Sequence, residues 1–433
     1  MGMTESLMSV TGLRARAAPV LRDRLVRTAW PLVVTTGSNG LLGIVYWVIA
    51  ARLYDQAAIA TNMAVIAAMT TLSGLSQLNL GPSLGVFLPR AREHARRVVL
   101  LVYGVVTAYA VVVLTVFVLV VLPHLTRLSE VLGSRHRVLV FALAVLVFNL
   151  FALQDAALVA LRRAVVIPLE NSGFGLLKIG LVVALAGTLP QFGIFTSWFI
   201  PLCVLVPVVS GYVLVRRAAP ETSTLPPTAP RDSIPGLALD YTGYLFQVSS
   251  TFFLPVVALE LLGPGPASLF AVAWLTSSTL DLLATNVGTA LTVETSYGES
   301  PVALRRTILR RAVPLVALIA GVALLLAPLL LELYGAHYRV DGVHTLQLLL
   351  LASVPRCVVT FAIAESRAHR QVGKIVWLRA QNAVLALGLS FLLTPGLGVE
   401  GMAVAWLVAQ TCGAATALLL VWRHQAPSLE QPS

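Results

Sequence analysis

Residues 216–235, RRAAPETSTLPPTAPRDSIP, interrupt an apolar chain of 433 residues near its midpoint. Prolines and polar side chains in such a run cannot form a membrane helix, because a helix in lipid must satisfy its own backbone hydrogen bonds. Overall, 58% of the residues are hydrophobic and only 11% are charged, against about 25% charged in an ordinary soluble domain. We therefore interpret residues 216–235 as a linker between two halves embedded in a membrane.

Each half contains six apolar runs close to the ~20 residues that a helix needs to cross a hydrocarbon core of ~30 Å. The first run has no cleavage site and is predicted to be a retained signal anchor. The sequence thus predicts an all-α integral membrane protein of about 12 transmembrane helices, arranged as two six-helix bundles, residues 30–215 and 236–422. The predicted spans are 30–51, 57–88, 98–122, 138–161, 168–189, 192–215, 236–262, 266–294, 312–334, 343–365, 374–394 and 399–422.

The basic residues predict the orientation of these helices. Of the 30 Lys and Arg residues, 22 fall on one side of the predicted topology and five on the other. Short loops rich in Lys and Arg stay in the cytoplasm. We therefore predict a multi-pass protein of the plasma membrane with the basic tail 1–29, the linker and the C-terminal tail 423–433 in the cytoplasm. The net charge of +11 is thereby explained by orientation, without a nucleic-acid partner.

The two halves repeat each other at a nearly constant offset. Leu78-Asn79-Leu80-Gly81 corresponds to Thr285-Asn286-Val287-Gly288, and Ala51-Arg52-Leu53 corresponds to Leu259-Glu260-Leu261. Because each half has an even number of spans, the repeats run in parallel. Such parallel repeats are typical of transporters with a central cavity between the halves.

Polar and ionisable residues inside the spans are the candidates for that cavity, because burying a charge in lipid is costly unless it faces water or a partner. Each has an alternative: Asp155 and Lys178 could neutralise each other, Arg52 could reach water at its helix end, and the asparagines could hydrogen-bond between helices. The predicted cavity residues are Asn39, Arg52, Asn79, Asp155, Lys178, Gln247, Asp281, Asn286 and Arg356.

Several other classes of site are disfavoured. Membrane glycosyltransferases and polymerases need carboxylates or histidines outside the membrane, and no outer loop carries a close pair of acidic residues. The three cysteines lie in apolar runs without CxxC spacing, which predicts neither a disulfide nor a metal site. No phosphate-binding GxxxxGK[ST] motif occurs, so we predict that the chain carries no nucleotide-driven motor of its own. We predict no cofactor and no catalytic residue.

Residues 51–91, ARLYDQAAIATNMAVIAAMTTLSGLSQLNLGPSLGVFLPRA, resemble the start of bacterial O-antigen-type polysaccharide flippases of the multidrug/oligosaccharidyl-lipid/polysaccharide exporter superfamily. The shared features are Ala51-Arg52-Leu53 before a short turn, Leu80-Gly81, and the basic loop from Arg90 to Arg97. One departure is Asp55-Gln56-Ala57, where many members carry a Gly-Pro turn; Gly263-Pro264 preserves that turn in the second half.

The resemblance implies a monomeric transporter, not an enzyme, that flips a polyprenyl-diphosphate-linked oligosaccharide across the lipid bilayer by alternating access. Lys178, Arg356 and Arg52 would then meet the diphosphate, and Asp155 or Asp281 would bind a coupling proton or sodium ion or balance these cations. An ion-coupled drug or metabolite exporter of the same superfamily remains an alternative. A membrane-embedded glycosyltransferase or polymerase is a second alternative. A major-facilitator exporter is also possible by helix count, but the Gly-x-x-x-Asp-Arg loop of that family is absent from this sequence.

Overall fold

The computed structural model describes residues 37–78, 80, 84, 95–161, 163–215, 234–278, 310, 313–368 and 371–421. These residues form helices joined by short turns, and no strand occurs among them. Large apolar side chains cover the outside: Leu119 is 71% exposed and Leu325 is 79% exposed. Such a surface suits lipid, because soluble monomers rarely expose extended apolar area.

The described part of the N-terminal half contains helices α1 to α7. Two of them have an N-cap residue whose side chain accepts a backbone hydrogen bond. The Asp55 carboxylate accepts the Ala58 N–H at 2.6 Å at the start of α2, and the Ser134 hydroxyl accepts the Arg137 N–H at 3.2 Å at the start of α5. The helices are α1 37–53, α2 Gln56–Ser76, α3 Ala95–Val116 with its continuation Phe117–Val121 and Leu122–His124, α4 Thr126–Val131, α5 Arg135–Ala160, α6 Val166–Leu185 and α7 Gly193–Val215.

The described part of the C-terminal half contains helices α8 to α15. They are α8 Ile234–Thr251, α9 Leu254–Leu262, α10 264–278, α11 Val313–Leu325, α12 Ala327–Glu332, α13 Ala336–Asp341, α14 Val343–Ala368 and α15 Val372–Thr416, which continues as Ala417–Val421. At Gly398 the backbone of α15 is not helical, with φ 58° and ψ −135°. Glycine adopts such angles without steric cost, so Gly398 separates α15 into two arms that match the predicted spans 374–394 and 399–422.

Eight helical segments among the described residues are long and apolar enough to cross a membrane. The predicted spans 98–122, 138–161, 168–189 and 192–215 agree with α3, α5, α6 and α7 to within a few residues. Helix α2 ends at Ser76, inside the predicted span 57–88, and Leu78 takes a positive φ of 51°. Residues 79, 81–83 and 85–88 of that span lie outside the described residues. The part of span 266–294 beyond α10, residues 279–294, lies outside the described residues.

Two predicted spans are each divided by a proline. Span 236–262 becomes α8 and α9, with Pro255 in the first turn of α9, and span 312–334 becomes α11 and α12, with Pro328 in the first turn of α12. Proline lacks the N–H that a continuous helix would use and clashes with the preceding turn. Both helices therefore restart at the proline.

One apolar core joins the two halves. It includes Tyr46 and Met69 from the N-terminal half and Val256 and Phe270 from the C-terminal half. Helix α2 packs against α8 and α9, and α4 packs against α9. These contacts place the polar residues described next on both sides of a single helical body.

Candidate functional site

A cavity of about 200 Å³ lies between helices of the C-terminal half. Arg356 and Arg367 reach it from α14, where the intervening lining residues Thr360 and Ile363 follow at helical spacing. Spacings of four, three and four residues place such side chains on one face of a helix. The other polar and aromatic lining residues are Gln247 from α8, Arg379 and Asn382 from the first arm of α15, and Trp406 and Gln410 from the second arm.

Three arginines at one cavity make its lining strongly cationic. Arg379 lies close enough to Arg367 to be repelled by it and close enough to Asp240 to be attracted. Arg356 stacks over the Trp406 ring, with its guanidinium carbon 5.2 Å from the ring centroid. A cluster of this kind is stabilised by an anion, because several guanidinium groups bind the oxygens of phosphate or carboxylate together.

Two polar atoms at this cavity are buried without a hydrogen-bond partner within the described chain: Arg379 Nε and Asn382 Oδ1. Buried polar groups are nearly always hydrogen-bonded in proteins, so an unpaired donor and an unpaired acceptor beside a cavity need an explanation. A polar ligand in the cavity would supply partners for both.

A chain of hydrogen bonds links three helices in the N-terminal half. Asn39 of α1 donates from Nδ2 to Asn171 Oδ1 at 3.4 Å, and Asn171 of α6 donates to the two carboxylate oxygens of Asp155 of α5 at 3.3 and 3.4 Å. Glu170 is buried beside this chain, and neither of its carboxylate oxygens has a hydrogen-bond partner among the described residues. Two neighbouring carboxyl groups with amide ligands form a site that a small cation or protons could occupy.

Lys178 lies farther along α6 and does not pair with Asp155. Its Nζ faces the rings of Trp198, Tyr46 and Phe174 at 4.4, 4.8 and 5.2 Å from their centroids. Within the described ranges no ion pair joins it to a carboxylate. The alternative of a neutralising Asp155–Lys178 pair is therefore wrong.

Arg52 makes its contacts at the surface between the two halves. Its Nε donates to the Leu333 carbonyl at 2.8 Å and its Nη2 to the Glu332 carbonyl at 3.4 Å, at the end of α12. Its repeat counterpart Glu260 crosses in the opposite sense, accepting the backbone N–H groups of Arg127 at 3.1 Å and Leu128 at 2.7 Å at the start of α4. We call these two contacts the clamps. They leave Arg52 apart from the other predicted cavity residues.

The structure distributes the remaining predicted residues between two places. Gln247 and Arg356 line the C-terminal cavity, whereas Asn39, Asp155 and Lys178 lie in the N-terminal half. The predicted residues Asn79, Asp281 and Asn286 lie outside the described residues. Lys178 is not among the lining residues of the cavity that contains Arg356.

Sequence reasoning missed Arg367, Arg379, Glu170 and Asn171. Arg367 and Arg379 lie near predicted cytoplasmic helix ends, where basic residues are common. The helical spacing of Arg356, Thr360, Ile363 and Arg367 nevertheless indicates a shared helix face. Glu170 and Asn171 were overlooked because they begin an apolar run. Asn171, Phe174 and Lys178 are likewise spaced to lie on one face of α6.

No protein-family model matches the chain, and no curated protein sequence matches it. Twenty-seven solved chains match its structure. An inward-facing conformation of a multidrug resistance MATE family transporter of the MOP superfamily has a TM-score of 0.62 and 16% identity, over 92% of this chain and 97% of that one. The outward-facing conformation of such a transporter has a TM-score of 0.58 and 18% identity, over 92% and 94%.

A MOP superfamily transporter from Pyrococcus furiosus, for which a binding pocket of reverse polarity suggests a different function, has a TM-score of 0.60 and 17% identity. That match covers 92% of this chain and 94% of the other. At these identities the likeness establishes the fold. The chain is thus an all-α, multi-pass membrane protein with about twelve transmembrane helices in two parallel six-helix bundles around a central cavity, as the sequence predicted.

Proposed function

We propose that this protein is an alternating-access transporter that flips a polyprenyl-diphosphate-linked oligosaccharide across the plasma membrane for cell-surface polysaccharide biosynthesis. The observation that carries the proposal is the cavity lined by Arg356, Arg367 and Arg379. Cavities that accept cationic drugs need acidic linings, since opposite charges attract most strongly away from water. Three arginines favour an anionic headgroup instead.

The other lining residues suit the remainder of such a cargo. Guanidinium groups bind phosphate oxygens through pairs of parallel hydrogen bonds. The amides of Gln247, Asn382 and Gln410 can donate to and accept from sugar hydroxyls, and Trp406 offers an aromatic face. A diphosphate with attached sugar therefore finds both partners in one cavity.

The transporter would consist of the two halves 30–215 and 236–422, joined by the cytoplasmic linker 216–235. Both termini would lie in the cytoplasm, as the distribution of Lys and Arg indicates. The protein would work as a monomer in the bilayer, without nucleic acid and without catalysing a reaction on the sugar. The lipid-linked glycan and a coupling ion would be its ligands.

In this proposal the ion whose gradient drives transport binds in the N-terminal half. Asp155, hydrogen-bonded to Asn171, and the neighbouring Glu170 offer carboxyl oxygens to a proton or a sodium ion. Binding of the ion would favour one orientation of the halves over the other, because a ligand shifts a conformational equilibrium only through its different affinity for the two states.

An ion-coupled drug or metabolite exporter is the second candidate. It is favoured by the carboxyl groups of Asp155 and Glu170, which could attract a cationic cargo into the N-terminal half. The solved structures of like fold include transporters described as multidrug resistance proteins. The charge of the cargo therefore decides between the two.

The test is flipping by the purified protein in liposomes that contain a fluorescent polyprenyl-diphosphate sugar. Bleaching by a membrane-impermeant reductant measures how much cargo has changed leaflet. Arg356→Gln is expected to slow flipping at least about tenfold, because a hydrogen bond to a charged group contributes about 1.5–3 kcal/mol. Arg135→Gln, at an exposed arginine on another helix, is the matched control and should leave the rate unchanged.

Equal flipping rates for wild type, Arg356→Gln and Arg379→Gln would contradict the proposal. Export of a cationic dye by a protein that leaves the lipid in place would establish the exporter instead. Size-exclusion elution and thermal melting of each variant test whether it is folded, so that loss of activity is not confused with loss of structure.

A further inference from the structure

The ammonium group of Lys178 is enclosed by aromatic rings from three helices. Tyr46 comes from α1, Phe174 from α6 and Trp198 from α7, and we call these three residues the aromatic cage. All three ring centroids lie within 4.4–5.2 Å of Nζ. The lysine side chain is only 8% exposed. In the part of the chain that the structure describes, no carboxylate neutralises it.

The cage is held in place by its own contacts. The Tyr46 hydroxyl lies 2.8 Å from Ser197 Oγ and donates to the Ile194 carbonyl at 3.1 Å, which fixes the ring of Tyr46 against α7. The ring of Trp198 stands at 84° to that of Phe174 and at 75° to that of Tyr46. The rings around Nζ are therefore also held by contacts that do not involve the lysine.

Walls of this kind have a known chemical preference. An aromatic face attracts a cation through its quadrupole, and several faces around one point bind quaternary ammonium groups. The ammonium of Lys178 sits where the charged nitrogen of such a ligand would sit. The chain thus fills a cation site with a cation of its own.

We propose that Lys178 is a specificity-determining residue that excludes organic cations from the aromatic cage, and that the cage binds quaternary ammonium compounds once the lysine side chain is removed. Specificity of this type depends on a repulsive element as well as attractive ones. Lys178 supplies both exclusion by volume and repulsion by charge. The consequence for cargo, rejection of cations in favour of anions, rests on the proposed transport function; the binding chemistry does not.

The experiment is calorimetric titration of the purified protein with choline and with its neutral isostere 3,3-dimethyl-1-butanol, in which carbon replaces the charged nitrogen. Lys178→Ala is expected to bind choline at least about tenfold more tightly than the isostere, because only choline carries the charge that the rings attract. The wild type is expected to bind neither compound measurably.

Two further variants separate charge from space. Lys178→Met removes the charge but keeps the cage filled, so it should not bind choline. Lys178→Ala combined with Trp198→Ala opens the same space but removes the ring closest to the cation, and should lose at least about tenfold in choline affinity. Binding of choline by the Met variant as tight as by the Ala variant would show that the charge alone excludes choline and would overturn the proposed exclusion by volume.

The proposal is also overturned if the wild type binds choline as tightly as Lys178→Ala, or if folded Lys178→Ala binds choline and the isostere equally. Should Lys178→Ala be recovered only as aggregate, choline present during extraction is expected to restore soluble protein, and the isostere is not; failure of choline to do so counts equally against the proposal. Because no step measures transport, these outcomes are independent of the flipping assay with Arg356→Gln.

Discussion

Asp155 is held by an amide, and this contact could not be predicted from the sequence. Asp155 and Lys178 lie on consecutive spans, which made a charge pair plausible. Their distance depends on how α5 and α6 are offset along their axes, which span positions do not determine. Asn171 meets Asp155 instead, and Lys178 lies seven residues farther along α6, about 10 Å at 1.5 Å per residue.

At the residue scale, we expect Asp155→Asn to abolish the dependence of transport on an ion gradient. The substitution keeps the shape of the side chain and one oxygen but removes the charge that a proton or sodium ion would neutralise. The measurement is cargo movement in liposomes with and without an imposed proton or sodium gradient. The wild type should respond to one of them and the variant to neither.

The control is Glu130→Gln, which removes an exposed carboxylate of α4. It should retain the full response to the gradient. If the Asp155→Asn protein still moves cargo faster when the gradient is applied, Asp155 is not part of the coupling site. Glu170 would then be the remaining candidate carboxyl group.

At the scale of the element, a glycine brings α7 against the end of α1. A Cβ atom on Gly193 would collide with the Tyr54 hydroxyl, which donates to the Val182 carbonyl at 2.9 Å. Gly193→Ala is therefore expected to lower the stability by about 1–3 kcal/mol, as overpacking of a buried contact does. Thermal melting of the purified protein in detergent measures the change.

Gly211 offers the matched control on the same helix, because a Cβ there meets nothing within 4 Å. Gly211→Ala is expected to leave the stability unchanged or to raise it by up to about 1 kcal/mol, since alanine has the better helix propensity. Equal melting temperatures for Gly193→Ala and Gly211→Ala would argue against the close approach of α1 and α7.

Helix positions were the most predictable part of this molecule and helix breaks the least. Arg135–Ala160 was predicted as 138–161, because hydropathy over twenty residues averages out local detail. The break before Pro255 was missed, although proline in a helix interior removes a hydrogen bond and adds a clash. Proline does not decide alone: Pro201, Pro207 and Pro355 lie inside helices that continue through them.

At the scale of the whole molecule, the clamps hold the two halves together on one face. Arg52 of the first half contacts carbonyls at the end of α12, and Glu260 of the second half contacts amides at the start of α4. The carboxylate at a helix start and the guanidinium at a helix end each oppose the helix dipole, which stabilises both contacts. Opening of this face requires that both be broken.

We expect Glu260→Gln to open that face more often. Loss of a charged helix cap costs about 1 kcal/mol, which corresponds to a several-fold change in the population of the open state. The measurement is the rate at which a membrane-impermeant maleimide, added on the side of α4, labels a cysteine placed at Thr360 in the cavity lining. Cys203, Cys357 and Cys412 are replaced beforehand by serine or alanine.

Glu130→Gln, which lies on α4 but takes no part in the clamps, should label at the wild-type rate. A Glu260→Gln protein that labels no faster than this control would show that the clamps do not limit opening. The candidate site was only partly predictable from the sequence. Gln247 and Arg356 stood out as polar residues within apolar runs, but which polar residues share a cavity depends on how the helices pack.

The non-helical backbone at Gly398 inside α15 has a consequence for the length of the chain. The second arm of α15 continues from it directly and presents Trp406 and Gln410 to the cavity. Each added residue in a helix turns everything beyond it by about 100°. One inserted codon between Gly401 and Trp406 would therefore turn both side chains away from the cavity. The same codon within residues 216–235, which the sequence predicts to be a linker, is expected to cost little, because the closure entropy of a loop grows slowly with its length. Insertions and deletions are accordingly expected to be tolerated within residues 216–235 and to be selected against in the second arm of α15.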